Sequence, residues 1–224
     1  MTCYQRMHEV LLGVTRPAAP LDWDASLWDW MGVTDVHDRD HMLARMGVNA
    51  IDTNDLPSTD RSGFSGHIIS GRVDQEFLLR QRDQLRAFLD AGKVVVYSGQ
   101  MFRPWLPGAQ DAVLVDIASM GGTDAVTYQP RAIFGDIDPA AFGANFVHGY
   151  YPTPEGAEAL AALPDGKAVI YIDRTSSGGT ILLHAGINFM NYIVEDVTVR
   201  GVIPQLIAWI NAEAEARSAV GAGA

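Results

Sequence analysis

The sequence predicts a three-layer α/β sandwich with a mostly parallel central sheet. The main evidence is residues 64–107, where an apolar stretch, an amphipathic stretch, a glycine, a second apolar stretch and a turn follow one another. This order is typical of a βαβ unit, in which the two strands are parallel. The second apolar stretch, KVVVY at 93–97, shows no polar alternation, as expected of a strand that helices cover on both faces.

Hydrophobic patterns and capping residues place the other elements. Strands are expected over 10–15, 48–52, 169–173 and 180–184, and helices over 25–31, 35–46, 74–91 and 202–216. The helix over 74–91 has apolar residues at helical spacing and Gly92 as its C-terminal cap. Only a short turn separates 169–173 from 180–184, so these two strands should form a β-hairpin.

Length and composition indicate one α/β domain over 1–216, with an irregular excursion at about 108–144 and a flexible tail over 217–224. The chain has 224 residues, of which 48% are hydrophobic, and a formal charge of −11. Its acidic residues are scattered, which argues against nucleic acid or an anionic membrane as partner. No apolar stretch is long enough to span a membrane. The single Cys3 fits a cytoplasmic protein without disulfides, and no cofactor is expected.

Three segments, 78–99, 146–151 and 165–186, together resemble the glutamine-amidotransferase-like superfamily of flavodoxin-like fold. Within it they are most similar to the trehalose-utilisation-protein-like (ThuA-like) branch. Active amidotransferases of this superfamily carry a cysteine nucleophile on the turn after a central strand, and that turn maps onto 97–101. This chain has no cysteine there, and it also lacks the later His-Pro-Glu element. The resemblance therefore implies the superfamily's fold without glutamine hydrolysis, as in a pseudoenzyme.

The ends of two predicted strands supply the candidate catalytic residues. Ser98 and His184 each follow an apolar stretch, and a serine hydroxyl needs an adjacent base to act as a nucleophile. His148 lies in a third segment rich in glycine and tyrosine. A hydrolase-like enzyme using these residues is one hypothesis. The alternative is that the serine is a turn residue and that both histidines have structural roles.

Further residues near these strand ends are candidates for binding a small polar ligand, either a sugar or a carboxylate. Gly99 and Gln100 follow the serine, and Tyr150 follows the histidine of the third segment. Arg103 and Trp105 combine a bidentate anion-binding group with an aromatic face. The competing interpretation is that the tryptophan closes the core and the arginine is solvated.

A different class of function is also open, namely a catalytically silent assembly subunit. Trp23, Trp28 and Trp30 in one segment, together with the C-terminal tail, would then contact a protein partner or a second copy of the chain. A metal site is not expected. The pair His37 and His41 has helical spacing, but a solvated acidic turn explains that segment better.

Overall fold

The computed structural model describes residues 10–15, 46–116, 118, 125–129, 131–134, 147–186 and 202–222. An eight-stranded sheet runs through these ranges. In spatial order its strands are β2 (Val48–Asp52), β1 (Val10–Thr15), β3 (Phe64–Ser70), β4 (Val94–Ser98), β10 (Thr180–His184), β9 (Ala168–Asp173), β8 (Glu158–Ala162) and β6 (Thr127–Tyr128). Two more short strands, β5 (Val113–Leu114) and β7 (Gly149–Tyr150), form a separate antiparallel pair.

The α/β class is confirmed, but the prediction of a mostly parallel sheet is wrong. Only β3–β4 and β4–β10 are parallel neighbours, and the other pairs in the sheet are antiparallel. The turns at 163–167 and 174–179 are too short for a parallel crossover, so β8, β9 and β10 must alternate in direction. The predicted hairpin of 169–173 with 180–184 is confirmed as β9–β10.

Helices cover both faces of the sheet. They are α1 (Gln75–Arg80), α2 (Arg82–Asp90), α3 (Arg131–Phe134) and α4 (Val202–Ala222). The predicted helix over 74–91 is thus divided, because Gln81 leaves the α-helical conformation with φ −94° and ψ 6°. The last helix continues to Ala222, beyond the predicted end at 216, and so includes most of the predicted flexible tail.

Strand β4 shows how the sheet separates two hydrophobic cores. Val95 and Tyr97 belong to the core beneath α1 and α2, whereas Val94 and Val96 belong to the core beneath α4. Successive side chains of a strand point to opposite faces, so an uninterrupted apolar run serves both cores at once. The polar group at the end of this strand therefore lies where a strand covered on both faces ends.

Several expectations concern residues outside the described ranges. These are the helix over 25–31, the helix over 35–46 except its last residue, the three tryptophans near the N-terminus and the two closely spaced histidines, His37 and His41. The excursion at 108–144 is described in part and contains the short elements β5, β6 and α3. None of the helices in the described ranges combines the length and the apolar character that a bilayer span requires.

Candidate functional site

The carboxyl ends of the three parallel strands bring three polar side chains into one row. Ser70 at the end of β3 pairs with Ser98 at the end of β4, which pairs in turn with His184 at the end of β10. Alternation along each strand places all three on the sheet face that carries α4. Ligands of open α/β sheets bind outside this end of parallel strands. We call this end of β3, β4 and β10 the carboxyl edge.

Ser98 and His184 are in direct contact, as the sequence hypothesis requires. The serine Oγ lies 2.7 Å from the imidazole Nδ1, and both residues are buried. The N–H of Gly99 also donates to the main-chain oxygen of His184 over 2.9 Å. Burial, with a smaller effect from the nearby His148, lowers the pKa of His184 to about 3. The imidazole is therefore neutral near neutral pH.

Two glycines bring the ends of β3 and β4 closer than any side chain would allow. The N–H of Gly71 donates to the main-chain oxygen of Ser98 over 2.7 Å. A Cβ atom on Gly71 would lie 2.5 Å from the Cα of Gly99, a separation that no real contact tolerates. Glycine is therefore required at this approach of two backbones. The two strand-end turns consequently form one continuous surface.

Tyr151 fixes the first half of the turn after β4. Its hydroxyl donates to the main-chain oxygen of Gly99 over 2.6 Å and accepts from the N–H of Met101 over 3.0 Å. Burial raises the pKa of Tyr151, which keeps this hydroxyl protonated and able to donate. The tyrosine lies in the segment 146–151 that the sequence singles out, but nothing in the sequence indicates that it reaches this turn.

Gln75, the first residue of α1, fixes the second half of the same turn. Its Nε2 donates to the main-chain oxygen of Gln100 over 2.8 Å and to the Tyr97 hydroxyl over 3.1 Å. Its Oε1 accepts from the N–H of Phe102 over 2.8 Å. Sequence analysis missed this role, because a glutamine at a helix start resembles any solvated residue.

A cavity of about 550 Å³ opens at the carboxyl edge. Its described lining residues are Ser70, Gly71, Arg72, Ser98, Gly99, Gln100, Leu114, Val115, His148 and Gly186. The lining thus comes from the turns after the three parallel strands and from the short strand pair β5–β7 with the residues flanking it. Its volume falls within the range of roughly 300–1,000 Å³ that is usual for small-molecule sites.

Four of the predicted site residues line this cavity, namely Ser98, Gly99, Gln100 and His148. His184 is not among the lining residues and lies behind the serine to which it is hydrogen-bonded. Sequence analysis missed the other members of the lining. The predicted strand beginning at residue 64 could have indicated its own C-terminal turn, at 70–72, by the same argument that indicated the turn after β4.

Arg103, Trp105 and Tyr150, which are also predicted to bind a ligand, are not among the lining residues of this cavity. The tryptophan is buried in the core beneath α1 and α2, where its ring meets that of Tyr97 edge to face. The arginine is exposed and forms an ion pair with Glu76 of α1. The ring of Tyr150 packs against the core beneath α4 and contacts the Lys167 ammonium group. Packing and a surface ion pair therefore account for these three residues.

The described residues contain no group of three or more side chains able to hold a metal ion. Comparison of the chain with protein-family models, with curated proteins and with solved structures found no match. The chemistry of the cavity is therefore the basis on which a function can be inferred.

Proposed function

We propose that the protein binds a small carboxylate in the cavity at the carboxyl edge. The observation that carries this proposal is the sign of the charge on the lining. Arg72 and His148 are the ionisable side chains among the described lining residues, and none of these residues is Asp or Glu. The whole chain, in contrast, has 27 acidic and 16 basic residues. A described lining without acidic side chains, in so acidic a protein, favours an anion.

The donors around the cavity fit the same ligand class. The Arg72 guanidinium can bind a carboxylate through two parallel hydrogen bonds. Within the described part of the chain, no hydrogen bond uses the main-chain N–H of Gln100 or of Gly186, and both residues line the cavity. An uncharged sugar, the other ligand predicted from the sequence, needs acceptors as well as donors. In the described lining, side-chain acceptors are confined to serine, glutamine and histidine, and there is no carboxylate.

A hydrolase that uses Ser98 as nucleophile is less well supported. The 2.7 Å contact with His184 favours it, but the serine is buried, and a histidine whose pKa is about 3 is a weak general base at neutral pH. We therefore interpret Ser98 as part of the cavity wall and His184 as a neutral residue behind it that holds the serine in place. Membership of the amidotransferase-like superfamily and a cytoplasmic location remain predictions from the sequence.

Calorimetric titration with paired ligands tests the proposal. Each pair consists of a carboxylate and its neutral amide, such as lactate with lactamide and succinate with succinamide. We expect the acids to bind at least about tenfold more tightly, because a charge-assisted bidentate hydrogen bond is worth more than a neutral one. Arg72→Gln should remove most of this difference, since the glutamine keeps a polar side chain but loses the charge.

Arg80→Gln is the matched control, because Arg80 is an exposed arginine on α1 that does not line the cavity. It should leave binding unchanged. Equal affinity for acid and amide, or equal losses in the two arginine variants, would contradict an anion site. Thermal unfolding of both variants at the midpoint of the wild type would show that the fold is intact.

A further inference from the structure

One wall of the cavity is apolar, in contrast to the rest of its described lining. Leu114 and Val115 form this wall, and every other described lining residue is glycine or has a polar side chain. Leu114 is 59% exposed, more than Phe102 or Val113, the other large hydrophobic residues exposed within the described ranges. An isolated exposed leucine on a protein surface needs no explanation, but one that lines a polar cavity faces the ligand.

Main-chain hydrogen bonds hold this wall in place. Leu114 pairs with Gly149 in the β5–β7 ladder, and the N–H of Val115 donates to the main-chain oxygen of His148 over 3.3 Å. On the other side, the N–H of Ala112 donates to the main-chain oxygen of Met101 over 2.7 Å. The strand that carries the leucine is thus joined both to the cavity histidine and to the turn after β4. These bonds fix the position of the main chain that carries Leu114 beside the cavity.

We infer that the carboxylate carries an aliphatic substituent and that Leu114 selects for it. This inference rests on the proposed function. A carboxylate group occupies only a small part of about 550 Å³, so the remainder of the ligand must lie along the walls. Methylene groups placed against Leu114 are removed from water together with the leucine. Each methylene buried in this way tightens binding by about fourfold.

The test compares linear monocarboxylates that share one head group. Acetate, butyrate and hexanoate are titrated by calorimetry, with gluconate as a ligand of similar length whose chain is hydroxylated. We expect the affinity to rise from acetate to hexanoate, by up to about fourfold for each methylene that reaches the wall. Gluconate should bind more weakly than hexanoate, because its hydroxyl groups would lose water without gaining partners on the leucine.

Leu114→Ala identifies the residue responsible. It should weaken hexanoate binding by about fivefold or more and leave acetate binding almost unchanged. Val113→Ala is the control, since Val113 is an exposed apolar residue on the same strand that does not line the cavity. The leucine side chain is largely exposed and its strand is held by main-chain bonds, so both variants should fold.

The outcomes separate this inference from the function on which it rests. Carboxylates that bind regardless of chain length, gluconate that binds as tightly as hexanoate, or an equal loss for all ligands in Leu114→Ala would overturn the aliphatic preference. Each of these results would leave the carboxylate site standing. Failure of every carboxylate to bind would reject both.

Discussion

At the scale of single residues, His184 combines a short hydrogen bond with nearly complete burial. Its Nδ1 lies 2.7 Å from Ser98 Oγ, and the residue is 2% exposed. A buried imidazole resists protonation, since a charge in this position would lose its hydration. The pKa of His184 is accordingly lowered from 6.5 to about 3, whereas the same group in the unfolded chain titrates normally. Protonation therefore favours the unfolded state.

This difference predicts that the protein loses stability in mild acid. Stability is fully present above pH 6.5 and falls as the pH decreases towards 3, because only the unfolded chain takes up the proton. Between these two pH values, one such group lowers the folding equilibrium constant by about tenfold for each unit by which the pH decreases. Urea unfolding measured at intervals between pH 8 and pH 5 would show this dependence.

The variant His184→Asn isolates the contribution of this residue. Asparagine keeps a polar atom near the position of Nδ1 but does not titrate. Below pH 6.5, the stability of the variant should therefore fall less steeply with decreasing pH than that of the wild type, by the contribution of this one group. Between pH 7.5 and 8.5 the two proteins should show the same dependence. Parallel curves throughout the acid range would mean that His184 does not remain neutral in the folded state.

The sequence could identify these two residues but not their contact. Ser98 and His184 each end an uninterrupted apolar run, which indicates a strand end. They are 86 positions apart, and their contact depends on β4 and β10 being neighbours in parallel register. Local pattern carries no information about which strands are adjacent. Side chains that reach across elements, such as Gln75 and Tyr151, were missed for the same reason.

At the scale of elements, the start of α1 is coupled to the turn after β4 through one side chain. Gln75 binds Gln100 and Phe102 at main-chain atoms of that turn, and it also binds the Tyr97 hydroxyl. We expect Gln75→Ala to reduce the free energy of unfolding by about 1–3 kcal/mol, because it leaves main-chain groups without their partner. Urea denaturation is the measurement.

Gln81→Ala provides the comparison for this variant. Gln81 lies between α1 and α2, and its side chain makes none of the hydrogen bonds found in the described part of the chain. Its replacement should change stability by no more than about 0.5 kcal/mol. Similar losses in the two glutamine variants would show that the coupling of α1 to the turn contributes little.

The same pair of helices shows what periodicity can and cannot reveal. Leu78, Leu85, Phe88 and Leu89 are buried as the helical spacing predicts. The break at Gln81 was not predicted, because one residue outside the α region leaves the buried stripe on the same face. Hydrophobic pattern detects the face that a segment buries, and it is insensitive to a local change in backbone conformation.

At the scale of the whole molecule, one sheet carries both hydrophobic cores. Its central strands β3, β4 and β10 are parallel, as predicted for the site, while antiparallel strands extend it on both sides. On the side of β8 and β9, the short turns at 163–167 and 174–179 show that the strands must be antiparallel. The predicted hairpin of 169–173 with 180–184 relied on the second of these turns. On the other side, β1 and β2 could be predicted as strands, but not their antiparallel pairing.

Because both cores share β4, the chain should unfold as one unit. Loss of the core beneath α4 would expose Val94 and Val96, and the strand cannot then hold Val95 and Tyr97 in the other core. We expect urea unfolding curves from far-ultraviolet circular dichroism and from tryptophan fluorescence to coincide. Two separated transitions would indicate that the chain contains independently folding parts.

The close approach of Gly71 and Gly99 has a consequence for how this chain can change over time. A side chain at either position meets the backbone of the other, so neither position can accept a larger residue while the strands keep their spacing. The two positions are therefore constrained as a pair although 27 residues lie between them and each looks like an ordinary turn glycine. Exposed residues elsewhere on the chain can vary, whereas both members of this pair must stay glycine as long as the two backbones keep this approach.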